Sequence, residues 1–565
     1  MPKAKLQPKQ VGPAPFIAAM ARKMGIVKHL DEIIPWDKKR CKLSPGTRIL
    51  ALVINILISR KPLYLLPEFY RSYDCELIFG HGIKADDIND DAIGRLLDML
   101  DGVDLVDIYG QLAMMVNQSI YGHNKLGDVH LDRTSVSLYG AYTHEPEYPE
   151  ELEVIFGASK AHRPDLKQFT VGMAVNKDGL PLLADIGDGN QPENPWFRKF
   201  IPRFDEHYSK ENLETFAAIG DAAFVSEENL NRLFSSDRAS QISFISRLPA
   251  TYKEEKWVRS RALSGLGQWI NLGKMSEEKN ASSYKCYTDR VSIGGVVYRA
   301  LVYSSTSLEQ RKEHSLQKSW EKKREVLLKD CQEAEGSFFA CEADALRAAE
   351  TVIAKHKQSV WTVPYVIKDA RKDTCWFVPQ KGRKPTKQTV VSGNGHSIQL
   401  IFGDPVMNEE KANMEHDLAS LFVLITNVSD EEADEQEILR RYKDQSSVEV
   451  SFKFLKGPCI LGPIFLKKEH RIEALGIIFV IALLIGMAIQ IRVRRGVASR
   501  QRQHNAGYRQ TDAPTIKVIL QTFDHVIITC DARGKRTAYY QNDFDAEYIL
   551  LDCELDEAIW TTVPD

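Results

Sequence analysis

The sequence contains no Cys-x-x-Cys pair, so the usual signature of a zinc ribbon is missing. Its nine cysteines are odd in number and irregularly spaced, which fits reduced thiols in a cytoplasm better than a disulfide framework. A convincing signal peptide is also lacking, because only a short apolar stretch at 16–21 follows the basic N-terminus, with Pro13 and Pro15 just before it. These absences favour a cytoplasmic protein.

A net positive charge is missing as well. The formal charge of the chain is −3, which looks wrong for a nucleic-acid protein, but a global charge does not report local patches. Residues 474–511 contain six arginines and no acid, whereas residues 543–557 contain seven acids. The basic segment therefore fits either a solvated surface or a DNA contact.

The one membrane-like run, residues 474–489, has 16 residues, whereas about 20 are needed to span a bilayer. Basic residues flank it on both sides. A helix buried inside a large protein is therefore favoured, and a membrane-anchored protein stays an alternative.

The chain is too long for one ordinary core, and its patterns suggest five regions. Residues 1–125 carry apolar residues at helical spacing, which predicts a helical N-terminal region, more simply a bundle than a helix-turn-helix. The pattern of residues 126–250 predicts the first part of an α/β core, and that of 251–428 a β-rich insertion that includes a charged helical stretch at 307–356. Residues 429–495 would complete the core, and 496–565 form a C-terminal region.

The core region reads as three strands, a helix, a strand, a helix and a strand. The strands are predicted at 129–138, 168–176, 180–186, 216–221 and 242–248, and the helices at 194–210 and 226–235. Asn176 to Gly179 predicts a hairpin turn between the second and third strands. This order predicts an α/β fold with a mixed sheet of the ribonuclease H-like type.

Three acidic residues stand at informative places in this pattern. Asp132 lies within the first strand, Asp221 ends the fourth, and Glu449 lies in a helix predicted from Glu435 to Lys456. Carboxylates brought together from separate strands and a helix are what a site needs to hold two divalent metals for phosphoryl transfer. Each residue alone has a simpler interpretation: an Asp132–Arg133 ion pair, a turn or helix cap at Asp221, and a solvent-facing Glu449.

The spacing on the last helix supports the functional interpretation. Seven residues turn an α-helix by nearly two full turns, so Tyr442, Glu449 and Lys456 are expected on one face, with Gln445 close to it. Val448, Phe452 and Leu455 make an adjacent apolar stripe suited to packing on the sheet.

These residues resemble the DDE transposases of bacterial insertion sequences, in the group whose third acid lies in a Tyr-x2-Arg-x3-Glu-x6-Lys signature. The spacing is kept in this chain, but Gln445 stands in place of the arginine of the signature. The stretches 157–168, 179–182, 187–190, 423–427 and 465–474 are also similar to the family.

The resemblance implies a ribonuclease H-like core interrupted by an insertion before the glutamate helix. It implies that Asp132, Asp221 and Glu449 bind two Mg²⁺ ions, with Mn²⁺ as a possible substitute. Tyr442 and Lys456 would contact DNA, and Gln445, Lys160 and Arg163 are further candidate DNA contacts, although the segment around 160–163 also fits a solvated loop. The expected partners are double-stranded DNA, as terminal inverted repeats and target, and a second copy of the chain on that DNA, with no membrane. The expected location is the bacterial cytoplasm, near the nucleoid.

Three functions fit these features besides a membrane-anchored protein. The first is a transposase that cuts DNA at the element ends and joins 3′-hydroxyl ends to a target. The second is a metal-dependent nuclease that performs no joining. The third is a DNA-binding relative whose catalysis is impaired, for example by Gln445.

Overall fold

A computed structural model describes residues 8–123, 126–143, 151–159, 163–209, 216–235, 242–265, 267–277, 281–339, 341–380, 383–444, 451–452, 466, 468–506, 509–531, 534–539 and 544–564. The chain divides into two compact units, of which the first comprises Met1–Arg247 and Thr426–Asp565, and the second Leu248–Ile425.

The first unit begins with a short strand and seven helices. They are β1 (Lys9–Gln10), α1 (Ala14–Lys23), α2 (Ile26–Ile33), α3 (Pro45–Ile58), α4 (Leu66–Arg71), α5 (Cys75–Phe79), α6 (Asp90–Met99) and α7 (Leu105–Tyr121). Capping residues mark the starts of two of these helices. Ser44 accepts a hydrogen bond from the Thr47 backbone at 3.1 Å, and Pro45 occupies the first helical position of α3. Asp104 caps α7 in the same way through the backbone of Val106 and Asp107.

The central sheet of this unit follows the order expected from the sequence. Its elements are β2 (Asp128–Leu138), β3 (Lys167–Asn176), β4 (Pro181–Asp188), α8 (Glu193–Ser209), β5 (Phe216–Gly220), α9 (Glu227–Ser235) and β6 (Ile242–Arg247). In space the strands lie in the order β4-β3-β2-β5-β6. β2, β3 and β4 pair antiparallel, whereas β2, β5 and β6 pair parallel, so the sheet is mixed.

The second unit combines helices with several groups of paired strands. Its elements are α10 (Lys253–Leu263), β7 (Ile270–Lys274), β8 (Ser283–Ile293), β9 (Val296–Ser305), α11 (Thr306–Glu335), β10 (Phe338–Phe339), α12 (Glu342–Lys355), β11 (Trp361–Thr362), β12 (Tyr365–Gln380), β13 (Arg383–Phe402), β14 (Val406–Met407), α13 (Glu409–Ala419) and β15 (Leu421–Thr426). β15, β9, β8 and β7 are neighbours in that order, and β8 and β9 join at Gly294 and Gly295, which both have positive φ. The charged stretch predicted as helical at 307–356 forms two helices, and α11 ends where Gly336 follows it.

The rest of the first unit follows Thr426. Its elements are α14 (Glu435–Lys443), α15 (Glu469–Arg500), β16 (His504–Ala506), β17 (Arg509–Thr511), α16 (Ile516–Gln521), β18 (Ile527–Cys530), β19 (Arg536–Tyr539) and α17 (Phe544–Asp552). Asp434 caps the start of α14 by accepting a hydrogen bond from the Glu437 backbone at 2.7 Å. α14 ends at Lys443. The prediction of one continuous helix from Glu435 to Lys456 is therefore wrong where α14 ends. Its last turn carries three basic residues, which suit the negative end of a helix dipole.

α15 is the long apolar helix, and it forms part of the core of this unit. Its length and apolar composition would suffice for a membrane span, yet 94% of its most apolar stretch is buried inside the protein. Gly476 lies against Ile186 of β4, where a Cβ would approach the Ile186 side chain to 2.8 Å. Burial of this kind is what the core-helix interpretation of residues 474–489 expects.

The amino-terminal strand and two strands of the C-terminal region meet in one small sheet. β1 pairs with β18, and β18 pairs with β19. The backbone N–H of Val11 donates to the carbonyl of Val526 at 3.0 Å, and the rings of Phe16 and Phe523 lie 4.8 Å apart. The C-terminal region is therefore joined to the N-terminal helices rather than separate from them.

Candidate active site

Asp132 and Asp221 lie at the same level of two neighbouring parallel strands. The ladder between β2 and β5 ends with His130 opposite Ile219, and each aspartate lies two residues beyond that pair. Neighbouring strands are about 4.8 Å apart, so the strand pairing brings the two positions close together. Both residues are half-buried, which leaves part of each accessible to a ligand.

The Arg133 side chain, whose simpler interpretation was an ion pair with Asp132, contacts the segment that follows β4. Successive residues of a strand face opposite sides of the sheet. The Arg133 guanidinium donates to the Gln191 carbonyl at 2.9 Å, and also to the Gln191 side chain and Thr170. Arg133 thus ties β2 to the segment that follows β4.

Asp221 does occupy a turn, as its simpler interpretation expects. Its Oδ1 accepts a hydrogen bond from the Ala223 backbone at 2.9 Å and caps the 3-10 helix Ala222–Phe224. The Asp221 carbonyl also accepts from the Ser246 hydroxyl at 2.7 Å, which fixes the end of β5 against β6. A carboxylate in this cap is held in a defined position, and such a cap does not exclude a second role.

Tyr442 of α14 lies within electrostatic range of Asp221. Burial raises the pKa of the Tyr442 phenol, and the negative charge of Asp221 raises it further, whereas the charge of Arg247 lowers it. The helix predicted to carry the third acid therefore packs near the aspartate end of β5. Arg247, the last residue of β6, adds a positive charge near the phenol, and the sequence analysis did not select it.

Arg441 is the clearest functional candidate that the sequence analysis missed. Its Nη2 donates to Asp128 Oδ1 at 2.6 Å, and its Nε lies 2.9 and 3.0 Å from the two Asp128 oxygens. The two side chains are 12% and 16% exposed, so this is a largely buried, bidentate ion pair. It fastens α14 to the start of the strand that carries Asp132.

His130 lies between Asp128 and Asp132 on the same face of β2 and is fully buried. Neither ring nitrogen has a hydrogen-bond partner among the described residues. Burial lowers the pKa of His130 to about 4, so the ring is neutral at pH 7. A neutral imidazole here adds no positive charge beside the Arg441–Asp128 pair.

Four predicted site residues, Glu449, Gln445, Lys456 and Lys160, lie outside the described part of the chain. Ser451, two residues after Glu449, is described and buried, and its hydroxyl donates to the Gly179 carbonyl at 3.3 Å. Of the residues on either side of Glu449, Tyr442 thus lies near Asp221, and Ser451 contacts the turn between β3 and β4.

Arg163 is exposed and already engaged in its own loop. Its guanidinium donates to both Asp165 oxygens at 2.8 and 2.7 Å and to the Tyr139 hydroxyl at 3.3 Å. These contacts match the solvated-loop interpretation, and a phosphate would have to compete with Asp165 for the guanidinium.

The comparisons with known proteins address this site. A family model described as the transposase DDE domain matches residues 129–485, more than half of the chain. The chain belongs to this family. The match begins at the strand of Asp132 and covers Asp221, Tyr442 and Glu449.

The N-terminal part of this DDE transposase matches a second family model. A domain of unknown function, DUF4277, matches residues 6–114. No curated protein matches the chain. A cryo-EM structure of a piggyBac transposase synaptic complex with hairpin DNA is similar at 8% identity and a TM-score of 0.38, covering 92% of this chain and 82% of that one.

DDE transposases use divalent metal ions, and the described residues fit such an ion in their chemistry. Asp132 and Asp221 offer carboxylate oxygens, the ligands that Mg²⁺ and Mn²⁺ prefer. No group of three His, Cys, Asp or Glu side chains that could hold a metal is present among the described residues. Glu449, the third predicted ligand, lies outside them.

Arginines of the basic C-terminal segment of the transposase form hydrogen bonds and ion pairs with other parts of the protein. Arg500 makes two 2.5 Å hydrogen bonds to Asp552, and Arg502 lies 3.7 Å from Asp545. Arg495 donates to the Ile120 carbonyl at 2.8 Å. The basic segment (residues 474–511) and the acidic tail (residues 543–557) thus pair with each other. Neither the solvated-surface nor the DNA-contact interpretation predicted this pairing.

Proposed function

We propose that this protein cuts DNA at the terminal inverted repeats of an insertion sequence and joins the 3′-hydroxyl ends to target DNA. The observation that carries the proposal is the placement of Asp132 and Asp221 at one level of adjacent parallel strands, inside the segment that the family model matches. Carboxylates at such positions suit a phosphoryl-transfer site.

We assign a ribonuclease H-like arrangement to the core. The strand order β4-β3-β2-β5-β6 supports it, together with the antiparallel pairing of the first three strands and the parallel pairing of the last two. In this assignment Asp132 comes from the first strand of the core and Asp221 from the fourth. The segment 251–428 would be the insertion, and residues 1–125 the DNA-binding and dimerisation region.

Glu449 completes the site in this proposal. Two flanking positions support it: Tyr442 lies within electrostatic range of Asp221, and Ser451 contacts the turn between β3 and β4. Asp132, Asp221 and Glu449 would hold two Mg²⁺ ions, or Mn²⁺, which when bound supply positive charge to the phosphodiester oxygens and activate water or a 3′-hydroxyl.

The side chains around the carboxylates bind and position the DNA. Tyr442 and Arg247 lie near Asp221, and a phosphate there would gain from the Arg247 charge. Gln445, Lys456, Lys160 and Arg163 are proposed as further DNA contacts. Arg441 is a positioning residue, because its pairing with Asp128 holds α14 on β2. The active form is proposed to be a homodimer on DNA in the bacterial cytoplasm.

The test uses the full chain, Mg²⁺ and a duplex that carries the terminal repeat of the element. Wild type should nick the repeat and join a supplied 3′-hydroxyl end to a plasmid. Asp132→Asn, Asp221→Asn and Glu449→Gln should each lower the cleavage rate by at least about 10²-fold, as expected when a preorganised charge is removed. Asp417→Asn, at an exposed aspartate of α13, is the matched control and should keep the wild-type rate.

Each alternative gives a different result. Cleavage without joined products would identify a metal-dependent nuclease. Repeat binding without cleavage would identify a catalytically impaired relative. Full activity of Asp132→Asn or Asp221→Asn would remove the proposed site.

A further inference from the structure

β12 and β13 of the second unit form a long antiparallel ribbon. Their register runs from Tyr365 opposite Phe402 to Gln380 opposite Arg383, with irregularities along the way. Sixteen residues of β12 at about 3.4 Å each give a ribbon of roughly 50 Å. That length exceeds one turn of a DNA duplex, about 34–36 Å.

One end of the ribbon is built into a hydrophobic core. Phe338 and Phe339 of β10 pair with Gln399 and Ile398 of β13. The surrounding cluster of buried residues comprises Leu327, Cys331, Ala349, Val352, Val363, Leu400 and Phe402. Beyond this base, β12 and β13 pair only with each other among the described strands. The base thus fixes the ribbon, and the outer part is supported by its own ladder.

The outer end of the ribbon is cationic. From Thr374 to Gly403 the sequence contains no aspartate and no glutamate. Arg383, Lys384 and Lys387 all stand within the first five residues of β13, at the end opposite the hydrophobic base. These positive charges thus have no carboxylate near them in sequence.

Elsewhere the positive charge of the chain is largely balanced. The net charge is −3, and arginines of the basic C-terminal segment pair with the acidic tail, as in Arg500–Asp552. A protein that binds DNA gains affinity by replacing counterions at phosphates with its own cations. A surplus of cations on an acid-free segment is what such binding needs.

We infer that the outer end of the β12–β13 ribbon binds the phosphate backbone of duplex DNA through Arg383, Lys384 and Lys387. This inference rests on the proposed function, which supplies DNA as the partner. Contacts to phosphates carry no base information, so the ribbon adds affinity and positions the duplex without reading its sequence. A β-ribbon is narrow enough to enter a major groove, which is compatible with this placement.

The salt dependence of binding tests the inference directly. The full chain and the variant R383Q/K384Q/K387Q are titrated with a labelled terminal-repeat duplex, without divalent metal, between about 50 and 200 mM salt. Each lost phosphate contact lowers the slope of log K against log salt by about 0.9, so the triple variant should lose about 2.7. Binding to unrelated duplexes should fall by a similar factor.

A matched variant controls for the change in net charge. K312Q/K318Q/K322Q removes three exposed lysines from α11 of the same unit and should keep the wild-type slope. The charge-preserving variant R383K/K384R/K387R should keep it as well. If the triple glutamine variant folds poorly, the single variant Lys387→Gln is read instead, with an expected decrease of about 0.9.

Two results would overturn the inference, and they differ from each other. An unchanged slope in the glutamine variants, or an equal loss in the α11 control, shows that the ribbon makes no specific phosphate contact while DNA binding itself persists. A wild-type chain that fails to bind any duplex refutes the proposed function, and the ribbon assignment fails with it.

Discussion

Replacing Arg441 by methionine should destabilise the first unit strongly, because it leaves Asp128 without its buried partner. The Asp128 side chain is 16% exposed and accepts three close contacts from the Arg441 guanidinium. Breaking a buried pair by removing one partner costs about 3–5 kcal/mol. Since both side chains keep some exposure to water, we expect the lower end of that range, about 3 kcal/mol.

Two further variants sharpen this prediction. In the double variant D128N/R441M no charge is left uncompensated, so most of the lost stability should return. Arg440→Met is the matched control, because the neighbouring Arg440 is 55% exposed and pairs with a Glu437 that is 39% exposed. Exposed pairs of this kind contribute about 0–1 kcal/mol.

The measurement is denaturant unfolding of the full chain at pH 7, followed by a probe in the first unit. Equal destabilisation by Arg441→Met and Arg440→Met would contradict the reasoning, and so would a double variant no more stable than Arg441→Met. A functional consequence can be read in the same proteins. At temperatures where Arg441→Met stays folded, its DNA cleavage should still fall, because Tyr442 follows Arg441 on α14.

Two more predictions concern α15. Burial, together with nearby aspartates, raises the pKa of Glu473 from its ordinary 4.5 to about 7. The folded protein therefore binds the Glu473 proton more tightly than the unfolded chain does. The stability gained in this way is complete below pH 4.5 and is lost as the pH rises through 7. Glu473→Gln should therefore be more stable than wild type at pH 8, by up to about 3 kcal/mol; urea unfolding at pH 4.5 and 8 checks this, and an equal difference at both pH values would contradict it. Gly496→Ala places a Cβ 1.9 Å from Asp552, which must move away from Arg500. Thermal unfolding should show that the free energy of unfolding falls by about 1–3 kcal/mol. Gly486→Ala, whose Cβ would meet nothing closer than 3.3 Å, is the control, and an equal loss there would refute the steric argument.

The strands of the core could be predicted from the sequence because each carries a local pattern. β3 and β4 are apolar runs separated by the Asn176–Gly179 turn, and β2, β5 and β6 lie within a residue or two of their predicted bounds. The length of α14 could not be predicted in the same way, since apolar spacing continues past Lys443 where the helix ends.

Interactions between residues far apart in the sequence could not be predicted from such local patterns. Arg441 and Asp128 are 313 residues apart, and nothing local in either segment indicates the other. The same holds for Arg500 and Asp552, which looked like parts of separate basic and acidic segments. Of the predicted metal ligands, the fold brings Asp132 and Asp221 to one level of the sheet, while Glu449 stays a prediction.

The small sheet of β1, β18 and β19 has a consequence for synthesis of the protein. Lys9 and Gln10 leave the ribosome early, but their strand partner, Ile527–Ile528, is made more than 500 residues later. At 5–20 residues per second, the first strand waits roughly half a minute to two minutes for its partner. A chain released before that point cannot close this sheet, so premature termination yields a product whose amino-terminal strand remains unpaired.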